Sequence, residues 1–274
     1  MLLRIGSRGS RLALTQAELA AEQLRGPGIE IALVPITTAG DRDRTKPFGQ
    51  IGERGVFVKE LEEALLAGTI DVAVHSAKDM TSTDTAGLVV GAYLPREDPR
   101  DALCGAGEIR PGMRIGTASV RRRAQLLALE PSLSIEPLRG NIDTRLRKRS
   151  ERGLDAVVLA ACGLDRLGLA GEIGRRFEPD EVLPEAGQGA LALQVRVGEE
   201  DVVADANDPE TSRRVELERA CVAAIGGGCL APIAAYHDGE TLTGLVADPD
   251  GRWLERRTGE DPVALAAELA ALTA

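Results

Sequence analysis

The N-terminal part of the chain alternates between short apolar runs and longer segments in which apolar residues recur every three or four positions. Short apolar runs bounded by Gly or Ser are typical of buried strands, and the wider spacing is typical of amphipathic helices. Gly68 follows the second helical segment and favours a helix end there. The pattern predicts strand, helix, strand, helix and strand over residues 2–7, 12–24, 29–37, 56–66 and 70–74.

The same order of elements returns further along the chain, over residues 113–117, 120–129, 133–137, 141–152 and 156–160. Local sequence also repeats, since Ile5-Gly6-Ser7 corresponds to Ile115-Gly116-Thr117. Chance similarity between strand–helix units is the alternative explanation. We predict two α/β domains with mainly parallel sheets, joined near residues 95–100 and enclosing a cleft.

The rest of the chain predicts a smaller third domain. A strand over 191–197 could return to the first domain as a second hinge strand. A helix over 211–224, strands over 233–236, 241–246 and 253–257, and a helix over 263–272 are typical of an α+β domain. The predicted domains are residues 1–95 with 189–206, residues 96–188, and residues 207–274.

Composition excludes several classes of protein. Of the 274 residues, 43% are hydrophobic and 28% charged, the balance of a globular protein. Only 2% are aromatic, so the core must consist of Leu, Val, Ile and Ala, and a base-stacking nucleic-acid module is disfavoured. We expect no transmembrane helix, no signal peptide and a cytoplasmic location. Four scattered cysteines without a C-x-x-C pair, and only two histidines, argue against a metal site.

The formal charge of −10 disfavours general binding to DNA or to a membrane surface. All but four of the 33 basic residues are arginine, which coding bias can explain. Coding bias does not explain why arginines gather at Arg121–Arg123 and between Arg139 and Arg149. A locally basic cleft in an acidic protein indicates a small anionic ligand, because arginine binds carboxylates through paired hydrogen bonds.

Two strand-to-helix junctions carry small hydroxyl residues, Ser10 in one and Ser119 in the other. Free backbone N–H groups at a helix start attract anions, although a hydroxyl there is also an ordinary N-cap. Arginines beside both junctions favour a site for carboxylate or phosphate.

Lys78 and Asp79 directly follow a predicted buried strand. An adjacent Lys and Asp are usually a surface pair, but the end of a strand places them at the predicted cleft. A carboxylate facing arginines stays ionised and can stabilise a developing cation. His75 is interpreted as a structural histidine.

Cys229 follows three glycines, Gly226, Gly227 and Gly228. Because glycine has no side chain, a bulky group can come close to the thiol. A loop with an incidental thiol is the alternative. A nucleophilic thiol would need a histidine partner, whereas a thiol used for permanent attachment does not. The glycine-rich, charged segment 39–55 is a candidate lid.

Over most of its length the chain resembles the porphobilinogen deaminase (hydroxymethylbilane synthase) family. The shared motifs occur in order: IGSRGSRLA (5–13), GVFVKEL (55–61), VHSAKD (74–79), REDPRDA (96–102), GTASVRR (116–122), LRGNIDTRL (138–146), GLDRLG (163–168), GQGA (187–190) and GGCLAP (227–232).

The resemblance implies an enzyme that joins four molecules of porphobilinogen head to tail, with release of ammonia, into the linear tetrapyrrole hydroxymethylbilane. It implies a dipyrromethane cofactor, built from the substrate and held by a thioether to Cys229. It also implies two periplasmic-binding-protein-like α/β domains around a cleft, a small α+β C-terminal domain, a monomeric state and no metal.

The resemblance assigns catalysis to Asp79, with the neighbouring Lys78. It places cofactor binding on Cys229, Lys78, Asp79, Ser76, Ser119, Arg121, Arg122, Arg139, Arg145 and Gly189. It places substrate binding on Arg8, Ser10, Gln16, Arg139, Arg145 and Arg166. The chain departs from the family pattern at Ala118, where a hydroxyl is usual, and at Met80-Thr81, where Val-Pro is usual.

Two other functions fit parts of the sequence. A solute-binding protein would also have an arginine-lined cleft, but it would have a signal peptide and no need for Asp79 or for a cysteine after glycines. A nucleic-acid binder could use Arg121–Arg123 and Arg145–Arg149, but the net charge and the few aromatic residues oppose it.

Overall fold

A computed structural model describes residues 1–37, 58–81, 85–226 and 231–272. The strands are β1 (Leu2–Arg8), β2 (Glu30–Ile36), β3 (Val72–Ser76), β4 (Leu88–Tyr93), β5 (Asp101–Cys104), β6 (Arg114–Gly116), β7 (Ser134–Glu136), β8 (Ala156–Ala160), β9 (Ile173–Arg176), β10 (Leu191–Arg196), β11 (Ile233–His237), β12 (Leu242–Ala247) and β13 (Leu254–Gly259). The helices are α1 (Arg11–Leu24), α2 (Lys59–Leu66), α3 (Val120–Leu129), α4 (Ile142–Glu151), α5 (Ala161–Arg166), α6 (Pro209–Ile225) and α7 (Pro262–Ala271). Within the described ranges, each helix is too short or too polar to cross a bilayer.

The first sheet has the strand order β2-β1-β3-β10-β4. Strand β1 is parallel to β2 and β3, whereas β10 is antiparallel to both β3 and β4. All residues of β10 except the last are buried, as expected for an interior strand covered on both faces.

The second sheet repeats this arrangement in the order β7-β6-β8-β5-β9. Strand β6 is parallel to β7 and β8, and β5 is antiparallel to β8 and β9. The predicted internal repetition therefore extends to strand order and strand direction.

The third sheet is the antiparallel meander β11-β12-β13, and apolar residues of α7 and α6 pack against it. The predicted fold class, two α/β sheets with a small α+β C-terminal part, is confirmed by this topology. The chain divides into two compact units, Met1–Glu97 with Ala190–Val215 and Asp98–Gly189 with Glu216–Ala274. The three-domain boundaries drawn from the sequence stay a prediction.

The core consists of aliphatic side chains, as the composition predicts. Phe177 is fully buried, and the other largest fully buried side chains are leucines and isoleucines. Gly68 follows α2 with a φ of +66°, and Gly153 follows α4 with a φ of +62°. Glycine adopts this left-handed conformation without steric penalty, which explains the helix ends at both places.

Strands β4, β5 and β9 and helix α5 have no counterpart in the sequence prediction. Strand β5 has only four residues and follows a segment rich in Pro and charge, so it resembles part of a linker. Helix α5 has six residues with a glycine in its middle, too few for a helical period to show.

Candidate functional site

Lys78 and Asp79 lie in a one-turn 3-10 helix, Ala77–Asp79, that directly follows β3. Both residues are half-buried, while the flanking Ala77 and Met80 are buried in an apolar cluster. The structure thus places the carboxylate at the carboxyl end of a parallel strand, where the sequence predicts it. Ligands of α/β proteins commonly bind at such strand ends.

Ser76 and Gln16 contact each other within the first unit. Gln16 Nε2 donates to Ser76 Oγ at 2.9 Å, and Gln16 Oε1 lies 3.3 Å from the same hydroxyl oxygen. Gln16 is buried, so it fixes the direction of the Ser76 hydroxyl two residues before Lys78. Both residues are among the predicted binding residues, but nothing in the sequence indicates that their side chains form a hydrogen bond with each other.

Ser10 and Ser119 both act as helix N-caps. Ser10 Oγ accepts from Ala13 N at 3.2 Å, and Ser119 Oγ accepts from Arg122 N at 3.3 Å. Capping uses the oxygen as an acceptor and leaves the hydroxyl hydrogen available to an anion. Arg8 lies half-buried at the end of β1. The ligand-binding roles of these residues stay predictions.

Arg121 and Arg122 are almost completely buried and lie against Asp101. Arg122 donates to Asp101 Oδ1 from Nε at 3.1 Å and from Nη2 at 2.7 Å. Arg121 Nη2 lies 2.8 Å from Asp101 Oδ2 as an ion pair. Gln188 Nε2 also donates to Asp101 Oδ1, at 2.8 Å. We call these four residues the Asp101 cluster.

Asp101 is fully buried. Burial alone would raise its pKa, but the two guanidinium groups and the amide of Gln188 hold the pKa well below its ordinary value. Asp101 is not among the predicted site residues. The sequence feature that could have indicated it is an acidic residue at the start of the short, otherwise apolar run Asp101–Cys104.

Arg121 has one donor that the described residues leave unused. Its Nη1 donates to Leu183 O at 2.7 Å, and its Nη2 is paired with Asp101 Oδ2 at 2.8 Å. The buried Nε has no acceptor within the described ranges. A buried donor without an acceptor costs about 1–3 kcal/mol. A carboxylate of the implied dipyrromethane would supply that acceptor, so the residues present fit this cofactor.

The remaining predicted arginines are half-buried. Arg145 Nε donates to Gly140 O at 2.6 Å, and Lys148 Nζ donates to Arg139 O at 3.0 Å. Arg166 Nη2 donates to Gly189 O at 2.8 Å, so a predicted substrate residue contacts a predicted cofactor residue.

His75 agrees with its structural interpretation. It is buried, and its Nε2 lies 3.0 Å from Gln194 Oε1. The predicted attachment residue Cys229 and the candidate lid 39–55 lie outside the described residues.

Two family models match the chain. Residues 3–204 match "Porphobilinogen deaminase, dipyromethane cofactor binding domain", and residues 212–274 match "Porphobilinogen deaminase, C-terminal domain".

Relatives and solved structures also resemble the chain. Porphobilinogen deaminase of Syntrophotalea carbinolica is 47% identical, over 96% of this chain and 88% of that protein. The Bacillus subtilis protein of the same name is 43% identical, over 99% and 92%. A solved structure of the methionine binding protein MetQ is 15% identical with a TM-score of 0.48, over 77% of this chain and 92% of that one. By the family models and the curated relatives, this chain belongs to the porphobilinogen deaminase family.

Proposed function

We propose that the chain joins four molecules of porphobilinogen head to tail into hydroxymethylbilane, releasing ammonia, from a dipyrromethane primer attached to Cys229. The observation that carries this proposal is the buried Nε–H of Arg121, which has no acceptor within the described residues. It lies in the part of the chain that matches a dipyrromethane cofactor-binding domain. A carboxylate of the bound cofactor would supply that acceptor.

Arginine side chains bind the growing pyrrole chain and hold it in register. Each porphobilinogen brings an acetate and a propionate, so negative charge accumulates with every addition. Arg139, Arg145 and Arg166 are half-buried, so their guanidinium groups combine partial desolvation with access for a ligand. Charged hydrogen bonds to carboxylates are about twice as strong as neutral ones. We assign substrate binding to these arginines together with Arg8, Ser10 and Gln16.

Asp79 acts on the reacting substrate. Loss of ammonia leaves a positively charged substrate carbon, and an ionised carboxylate beside it lowers the energy of that charge. The same carboxylate can accept a hydrogen bond from a pyrrole N–H. It can also take up the proton that the receiving pyrrole carbon loses on coupling and return it to the departing amine of the next substrate. When bound, dipyrromethane supplies the pyrrole carbon to which the first substrate is joined. Lys78 adds a cation for the substrate's carboxylates next to this group.

We assign binding of the dipyrromethane primer to Ser76, Ser119, Arg121, Arg122 and Gly189. A thioether at Cys229 resists hydrolysis as an ester would not, so one primer serves many turnovers. We further propose that the enzyme is cytoplasmic and monomeric and that porphobilinogen is its small-molecule substrate.

The test replaces Asp79 with Asn, which keeps the shape and removes the negative charge. We expect the rate of ammonia release from porphobilinogen to fall at least about 100-fold, the size of a lost acid–base group. Asp205→Asn, at an exposed carboxylate of the same unit, is the control and should keep the wild-type rate. A near-normal rate in Asp79→Asn would remove this residue from catalysis. A wild-type chain that releases no ammonia would overturn the function itself.

A further inference from the structure

Arg256, on β13 of the C-terminal sheet, reaches a segment that leads towards Arg121. Its Nη1 donates to Asp180 O, and its Nη2 donates to Glu181 O at 2.9 Å and to Gln125 Oε1 at 3.2 Å. One guanidinium group therefore holds two consecutive backbone carbonyls and a side chain of α3.

Gln125 continues this connection to Leu183. Gln125 is fully buried, its Oε1 accepts from Leu183 N at 2.7 Å, and its Nε2 donates to Leu183 O at 3.1 Å. Arg121 Nη1 donates to the same carbonyl at 2.7 Å. Gln125 and Arg121 are four residues apart on α3, so they lie on one face of the helix. The hydrogen bonds form an unbroken route from Arg256 through Gln125 and Leu183 to Arg121.

The position of Leu183 O decides where Arg121 points. A guanidinium group is planar and rigid, so fixing two of its nitrogens fixes the third. Leu183 O holds Nη1, and Asp101 lies beside Nη2. The direction of the unused Nε–H therefore depends on both anchors.

We infer that Arg256 is a positioning residue, which orients Arg121 for a carboxylate of the bound cofactor by holding Gln125 and the 180–183 segment in place. This inference rests on the proposed function, because the carboxylate is that of dipyrromethane.

Apolar packing holds the same segment independently. Leu183 and Ala124 pack against Ala234, Leu245 and Ala247 of the C-terminal sheet. Removing the guanidinium of Arg256 therefore leaves the apolar contact between α3 and this sheet, and we expect the variant to fold.

The experiment compares Arg256→Met with Arg257→Met. Arg257 is the exposed neighbour, which donates to Glu255 Oε2 and to Arg256 O. The readout is the ratio of cofactor-carrying to cofactor-free chain, measured by intact mass under denaturing conditions. We expect Arg256→Met to lower this ratio about fivefold, a typical coupling between contacting residues. Arg257→Met should leave it unchanged. Arg256→Lys, which can still hold a carbonyl, should restore part of the ratio.

A double variant separates positioning from general stability. If Arg256 acts through Arg121, the ratio for Arg121→Lys with Arg256→Met should equal that for Arg121→Lys alone. Losses that multiply in the double variant would assign Arg256 a purely structural role and overturn the inference. An unchanged ratio in Arg256→Met, with a wild type that carries the covalent adduct, would overturn the inference and leave the proposed function intact. A wild-type chain without the covalent adduct would overturn both.

Discussion

The two five-stranded sheets share one strand order but differ in what they bury at equivalent positions. Leu191 opens the antiparallel strand of the first sheet and pairs with Ser76, the last residue of β3. Asp101 opens the antiparallel strand of the second sheet and pairs with Ala160, the last residue of β8. Both are buried, so one backbone position holds an aliphatic side chain in the first sheet and a carboxylate in the second.

The helices that follow the N-caps show the same difference. The second and third residues after the first cap are Leu12 and Ala13, whereas those after the second cap are Arg121 and Arg122. A buried charge is tolerated only with a partner. The second half thus differs from the first at three equivalent positions, where the carboxylate of Asp101 compensates two buried guanidinium groups.

The largest effect is expected when Asp101 is changed to Leu, the residue type of the first sheet. Two guanidinium groups would then remain buried without their carboxylate. Breaking a buried ion pair by removing one partner costs about 3–5 kcal/mol of unfolding free energy. Urea unfolding of the wild type and the variant measures this loss.

A triple variant, Asp101→Leu with Arg121→Met and Arg122→Met, tests the explanation. Replacing a whole buried ion-pair group by apolar side chains is often neutral or stabilising. We expect this variant to regain most of the lost stability and to carry no cofactor. If it is as unstable as Asp101→Leu, uncompensated charge is not the cause of the instability.

The Asp101 cluster also predicts how stability depends on pH. The pKa of Asp101 is lower in the folded chain than its ordinary value of 3.8. The unfolded state therefore binds the proton first as the pH falls, so the stabilisation is fully present above this ordinary value and is lost below it. The triple variant should show a shallower decline of unfolding free energy with acid. An unchanged slope would show that other carboxylates dominate the acid response.

An intermediate effect is expected at equivalent glycines of the two sheets. A Cβ at Gly116 would meet Leu138, Leu154 and Val157 at 2.8, 2.9 and 3.1 Å, whereas the three nearest atoms to one at Gly6 all belong to Ile70, with Cδ1 overlapping and Cγ2 at 3.2 Å. Overpacking costs about 1–3 kcal/mol, so both alanine variants should lose stability. Gly116→Ala should lose more, because no single side chain can move to relieve it. Chemical denaturation measures both, and the reverse order would contradict this packing comparison.

The smallest effect is expected at the two N-caps. Ser10→Ala and Ser119→Ala should each lower the unfolding free energy by about 1 kcal/mol, because each removes one cap hydrogen bond. Thermal unfolding of both variants provides the measurement, with Ser→Asn at the same positions as cap-retaining controls. A much larger loss in one half would show that its hydroxyl does more than cap the helix.

The sequence predicts the regular elements that have a clear period, among them α1, α3 and the strands β1, β3 and β6. Strand order does not follow from local periodicity, because it depends on pairings between distant segments. The place of β10 between β3 and β4 is an example. Strand β5 was missed because four residues next to a Pro-rich segment carry no detectable alternation.

Contacts between distant segments also limit what the sequence predicts about the candidate site. Lys78 and Asp79 follow a recognisable strand end, and Arg121 and Arg122 follow a recognisable helix start. Arg139, Arg145 and Arg166 are assigned to binding through the family resemblance.

The groups that hold Arg121 and Arg122 could not be named, because they meet these residues only after folding. Asp101 pairs with both arginines, whereas Gln125 and Arg256 connect to Arg121 through Leu183. Whether a carboxylate is buried depends on its neighbours in the folded chain, and nothing in its local sequence distinguishes it from an acidic residue on the surface.

The most direct test of the account is the intact mass, under denaturing conditions, of the purified chain and of Cys229→Ser. The account predicts that the wild type exceeds its sequence mass by one dipyrromethane unit and that Cys229→Ser has its sequence mass. A wild-type chain at its bare sequence mass, or the same adduct on Cys229→Ser, would contradict it.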